Sequence, residues 1–153
     1  MPPNNDDLCT MTRDDNHIIK TLLFEWTSDT GDGTVDFDFY MSGLLQQVTF
    51  RPSLAGTQPA NAYDVTILSA SCLDVDVLGG IGADCSNAAT EHEFPRLLEE
   101  LTQTDLSNFT VWSHPIAVNG VHTLTIRNAG NGKTGAIALV LSEADPVVHR
   151  IMT

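Results

Sequence analysis

At 153 residues, the chain is one domain's length and long enough to bury a core. Twenty acidic against seven basic side chains give a net charge of −13, which argues against nucleic acid and anionic membrane surfaces as partners. No apolar run approaches the ~20 residues of a membrane helix, and Met1-Pro2-Pro3-Asn4-Asn5-Asp6-Asp7 lacks the basic-then-apolar order of an export signal, so a soluble, cell-internal protein is expected.

Residues 1–16 read as a polar arm. Prolines, asparagines and four aspartates (Asp6, Asp7, Asp14, Asp15) crowd it, with Arg13 as its basic residue. The body, residues 17–142, reads as strands. His17 to Thr27 is rich in β-branched and aromatic residues. Ser28 to Gly33 is turn chemistry. Val35 to Met41 alternates, placing Val35, Phe37, Phe39 and Met41 inward and Asp36 and Asp38 outward. Leu44 to Arg51 continues toward Pro52, and Tyr63 to Ser69 and Leu73 to Leu78 add two strands.

Phe94, Leu97, Leu98 and Leu101 stand at i, i+3, i+4 and i+7, with Glu91 and Glu93 near the start and Pro95 suited to a first turn. That spacing predicts a short helix over Phe94 to Leu101. Asn119-Gly120 between Phe109–Val118 and Val121–Arg127 predicts a two-residue hairpin. The hairpin would pair Val118 with Val121, Ala117 with His122 and His114 with Thr125, putting the two imidazoles on opposite faces. Gly135 to Leu141 closes the set, and residues 143–153 form a C-terminal tail. The expected fold is all-β: a compact β-sandwich or barrel of about seven to eight strands, with one short helix and polar terminal arms.

Catalytic signatures are lacking. There is no Gly-x-Ser-x-Gly elbow, and Gly79-Gly80-Ile81-Gly82 has no following lysine to make a phosphate loop. It reads instead as a turn or bulge where backbones approach closely. Asp29-Thr30-Gly31-Asp32-Gly33-Thr34 fails as a calcium loop because glycines stand where oxygen ligands belong; a tight turn needs the same residues. His17, His92, His114, His122 and His149 form no helical zinc pair. Cys9, Cys72 and Cys85, odd in number and widely spaced, are expected as free thiols. Asp36 with Asp38, and Asp74 with Asp76, share strand faces; Asp64, Asp74, Asp76 and Asp84 could converge. Asp74 and Asp76 are the cation candidates, though no metal or cofactor is expected. Trp26, Tyr40, Tyr63 and Trp112 could form a carbohydrate platform, but aromatics at strand spacing more often build a core.

The stretch Tyr63-Asp64-Val65-Thr66, followed by Asp74-Val75-Asp76-Val77-Leu78-Gly79-Gly80-Ile81-Gly82, resembles small virion-associated structural proteins of tailed bacteriophages. The likeness spans roughly residues 18 to 142. It supplies no active site, and for want of a converged site in the sequence no enzymatic activity is expected. It implies a virion structural protein, in first place a capsid decoration (cement) protein stabilising the head shell from outside after assembly in the host cytoplasm. The implied partner is the major capsid protein, and analogy with decoration proteins gives a homotrimer. The alternatives are a neck, tail or baseplate component, or a carbohydrate-binding β-sandwich module. Asp6, Asp7, Arg13, Asp14 and Asp15 are the candidate capsid contacts, since a charged arm can order on a partner surface.

Overall fold

The computed structural model describes residues 9–16, 18–100 and 111–143, with backbone alone at residues 16, 97–100 and 111–113. The chain is all-β, as expected. Its strands are β1 (Cys9–Asn16), β2 (Ile19–Thr27), β3 (Val35–Pro52), β4 (Asp64–Ser69), β5 (Val75–Asp76), β6 (Glu91–Glu93), β7 (Arg96–Glu100), β8 (Val111–Arg127) and β9 (Thr134–Ser142). All described pairings are antiparallel, in the order β1-β2-β9-β3-β8-β4-β5; β6 joins β3 and β7 joins β8 beside this path. The helix in the described residues is a 3-10 turn at Ala70–Cys72.

Alternation sets the inner face. Leu22, Phe24 and Trp26 of β2 are buried, while Glu25 between them is exposed. Val65 and Ile67 of β4, Leu124 and Ile126 of β8, and Ile137, Leu139 and Leu141 of β9 repeat the pattern. Each large apolar side chain so buried contributes roughly 1.5–3 kcal/mol.

The long strand β3 turns the sheet upon itself. From Val35 to Leu45 it pairs with β8, and from Leu44 to Pro52 with β9. Its buried positions are odd up to Leu45 and even from Val48 onward. A register shift between Leu45 and Gln47 supplies the extra residue that flips this parity and bends the strand. Phe50 lies opposite Ile137, which lies opposite Phe24. Phe39 is a further eleven residues along β3, roughly 36 Å if the strand were straight. Yet the rings of Phe24 and Phe39 lie 4.7 Å apart, edge to face, and Phe37 stands 6.1 Å from Phe24. The sheet therefore curls until its inner face packs against itself. Trp26 and Tyr63, with ring centroids 5.8 Å apart, fill one end of that core.

Three expectations change. The Phe94–Leu101 segment is not helical where described: Arg96–Glu100 is β7, paired with Pro115 to Val111 of β8, and Leu101 lies outside the described residues. Two turns of isolated helix are marginal, and the edge that β8 offers satisfies the same backbone groups. Asn119-Gly120 is not a hairpin turn. β8 runs unbroken through it, with Asn119 opposite Ser42 and Gly120 opposite Met41. A φ of 110° at Gly120 is not the compact left-handed geometry such a turn requires, and pairing with β3 over eleven residues outweighs the local preference. Finally, Cys9–Asn16 of the expected arm is an edge strand, matched to β2 from Cys9↔Trp26 to Asn16↔Ile19; residues 1–8 lie outside the described residues. Cys9 anchors it by being buried. Of the expected tail, Glu143 is described: its N–H donates to the Ile18 carbonyl at 3.1 Å and its carboxylate meets Lys20 Nζ at 3.0 Å.

Candidate functional site

The acidic loops are occupied by their own backbone. Asp76 Oδ1 accepts from the N–H groups of Ile67 and Leu78, each at 3.1 Å, and Oδ2 accepts from Gly80 N–H at 3.1 Å. Asp64 accepts from Asp84 N–H at 3.0 Å and from Asn128 Nδ2 at 2.6 Å. These carboxylates knit the β4–β5 turn and the glycine segment onto the sheet. Val65 N–H donates to the Gly82 carbonyl at 2.7 Å, and a β-carbon at Gly82 would run into the Val65 carbonyl oxygen. The glycine cluster is thus a close backbone approach, as its sequence suggests. Asp74, the other cation candidate, is exposed on a left-handed backbone at φ 59°. Among the described residues, no three His, Cys, Asp or Glu side chains gather into a metal-binding group.

The remaining carboxylate candidates also have local work. Asp36 pairs with Arg127 Nη2 at 2.7 Å, and Asp38 accepts from Thr123 Oγ1 at 2.6 Å. Asp29 Oδ1 accepts from Gly31 and Asp32 N–H at 2.6 and 3.2 Å, so the failed calcium loop is the tight β2–β3 turn. Hydrogen bonds from Thr34 hold the Asp32 carboxyl below its ordinary range.

The aromatic platform is not assembled. Trp26 and Tyr63 are core residues, Tyr40 stands exposed with its hydroxyl on Asn119 Oδ1 at 3.0 Å, and the side chain of Trp112 lies outside the described residues. Burial pushes the Tyr63 phenol well above its ordinary range.

Of the candidate partner contacts, Arg13, Asp14 and Asp15 are exposed on β1; Asp6 and Asp7 lie outside the described residues. β1 pairs with β2 on one side, and its other edge meets no strand among the described residues. Arg13 reaches across to the curled sheet and donates from Nη2 to the Tyr40 carbonyl at 2.6 Å.

A cleft of about 550 Å³ opens between β8 and the β4–β5 turn. Ile116 and Val118 of β8 and Val75 and Val77 beyond the 3-10 turn make it largely apolar, with Arg96, Cys72 and His122 also in its wall. His122 lies opposite Ser69 across the β4–β8 pairing and opposite Phe39 across β3–β8. It is fully buried. Its Nδ1 bonds the Gly120 carbonyl at 3.0 Å; a carbonyl only accepts, so Nδ1 carries the proton. Nε2, then an acceptor, has no hydrogen-bond partner among the described residues. Burial lowers the His122 pKa below its ordinary value, against the opposing pull of the Gly120 carbonyl, and this keeps the ring neutral.

Sequence reading did not find this cleft. Its residues come from β4, the 3-10 turn, β5 and the segment after it, β7 and β8, and no spacing in the chain links them. Placing His114 and His122 on opposite arms of a hairpin also hid it; they stand on one strand, His114 exposed and His122 buried.

All three cysteines are free thiols: Cys9 and Cys85 buried, Cys72 exposed at the cleft. Burial pushes the Cys9 and Cys85 thiols up to about 12.

No known family's sequence profile matches the chain, and neither a curated protein nor a solved structure matches it.

Proposed function

We propose that the chain is a virion structural protein that decorates the head shell of a tailed bacteriophage, bound outside the major capsid protein as a homo-oligomer. The resemblance of the Tyr63 to Gly82 stretch motivates this reading, and the geometry that best supports it is β1. β1 is the outermost strand, its second edge meets no strand among the described residues, and exposed Asp14 and Asp15 on it, beside Arg13, can dock on a partner's basic patch. Asp29, Asp32, Asp36, Asp38, Asp64 and Asp76 are engaged in turns and cross-strand bonds, which fits a structural role better than an acid–base one.

The experiment is binding to undecorated capsids across a salt series. Since Cys9 is a core residue, the informative changes leave β1 in place: deletion of residues 1–8, and the double change Asp14→Lys with Asp15→Lys. The expected result is salt-weakened binding by the full chain and weaker binding by both variants. Equal affinity in all three would remove the N-terminal segment from the interface. Failure of the unaltered protein to bind would remove the decoration reading itself and favour a neck or tail position.

A further inference from the structure

We propose that the cleft between β8 and the β4–β5 turn binds a small, mainly apolar molecule bearing one hydrogen-bond donor, of the phenol or alcohol class, which His122 Nε2 recognises. This is independent of where the protein sits in a virion.

The volume of about 550 Å³ falls within the range of small-molecule sites, roughly 300–1,000 Å³. The wall has the composition of such sites, with apolar Val75, Val77, Ile116 and Val118 around a few polar groups. The decisive feature is His122. Like Trp26 Nε1 and Tyr63 Oη in the core, its Nε2 is buried without a hydrogen-bond partner among the described residues, and an unsatisfied buried polar group weakens a fold; of the two ring nitrogens among the three, His122 Nε2 is the one that accepts. The Nδ1 bond to Gly120 fixes the tautomer, so the unpartnered nitrogen accepts and does not donate. That selects a ligand with an O–H or N–H over an apolar molecule of the same shape.

Arg96 stands in the same wall, but its Nη1 is committed to the carbonyls of Gln46 at 3.2 Å and Pro95 at 3.0 Å. Asp76 is committed to three backbone amides. His122 Nε2 is the wall's unpartnered acceptor, and the ligand's donor is assigned to it.

The test titrates the full chain, labelled with ¹⁵N, with p-cresol and separately with toluene, following the imidazole nitrogens of His122 by long-range correlation spectroscopy. p-Cresol should bind saturably with Kd about 1 mM or tighter, reasonable for so small a ligand, and should move the Nε2 resonance. It should outbind toluene by about tenfold, the worth of one hydrogen bond to a buried acceptor. Cys72→Trp, an exposed position at the cleft, should abolish binding of both. His122→Phe should erase the preference for cresol. Absence of saturable cresol binding, binding undiminished in Cys72→Trp, or binding that leaves Nε2 unmoved would each overturn the proposal. If His122→Phe does not fold, the nitrogen resonance and the Cys72 variant still decide.

Discussion

Gly120 of β8 lies so close to Ser71 of the 3-10 turn that a β-carbon at residue 120 would come within 2.7 Å of Ser71 Oγ. The same glycine holds φ at 110°, a region side chains rarely enter. Ser71 can rotate its hydroxyl away, so backbone strain should dominate. Gly120→Ala is expected to lose about 1–3 kcal/mol in urea unfolding. Adding Ser71→Ala should recover only a small part of it. Gly56→Ala is the control: nothing lies within 4 Å of its β-carbon position, and its change should stay within about 0.5 kcal/mol. Equal midpoints for Gly120→Ala and the control would show that residue 120 does not hold the strained φ of 110° in solution.

Asp76 and Asp74 look alike in the sequence and should behave differently. Asp76 accepts three backbone N–H groups that tie β4 to the glycine segment. Asp76→Ala leaves those donors without their acceptor and should lose about 1–3 kcal/mol. Asp76→Asn keeps one carbonyl oxygen and should lose less. Asp74→Ala, at an exposed position, should be near neutral. Calcium added at millimolar concentration should not raise the unfolding midpoint, because the Asp76 oxygens are already engaged. A calcium-dependent rise that vanishes in Asp76→Ala would restore the cation reading.

Strand identity was legible in the sequence wherever alternation was clean. Phe24 and Trp26, Phe39 and Met41, and Ile137 and Leu139 face inward at period two. What could not be read was any choice decided by a distant neighbour. Asn119-Gly120 carries a strong local turn signal, but eleven residues of β3 hold it straight. Arg96 to Glu100 carries helical spacing, but the free edge of β8 takes it as a strand. Cys9 to Asn16 looked too polar to fold, since an edge strand needs only Cys9 as a buried anchor and the β2 backbone as a partner. The carboxylates were visible as candidates, and their engagement in turns was not, because it depends on where the amides of Leu78, Gly80 and Asp84 arrive. The cleft left no trace, since its members are joined only by the curl of the sheet.

The thiols differ by burial, and that difference is measurable. Cys72 is exposed, whereas Cys9 and Cys85 are buried with thiols pushed up to about 12; the Cys85 Sγ also donates to the Gly82 carbonyl at 3.2 Å. Only the thiolate reacts, so burial and raised pKa act together. A disulfide-exchange reagent at pH 8 should titrate one thiol rapidly in the folded protein and three in denaturant. Peptide mapping should place the rapid label on Cys72. Rapid labelling of Cys9 instead would mean that β1 detaches from the sheet easily, which its pairing with β2 argues against.

His122 should make the fold pH-sensitive in a defined window. Its folded pKa is lowered below the ordinary 6.5, chiefly by burial. As pH falls through about 6.5, the unfolded chain takes up a proton at this residue while the folded chain does not. The unfolded state then binds more protons, so stability rises with pH through this range and falls on acidification. The contribution of neutral His122 is fully present above pH 6.5 and shrinks as pH drops from there toward the folded pKa. Carboxylates such as Asp76 add their own loss at lower pH, so the comparison belongs between pH 7.5 and 5.5. Urea unfolding of the unaltered protein should show a falling free energy across that interval. His122→Phe should show a flatter curve, whatever its absolute stability. Parallel curves would mean that His122 ionises freely in the folded state, in which case the buried, neutral imidazole at the cleft wall does not describe the protein in solution.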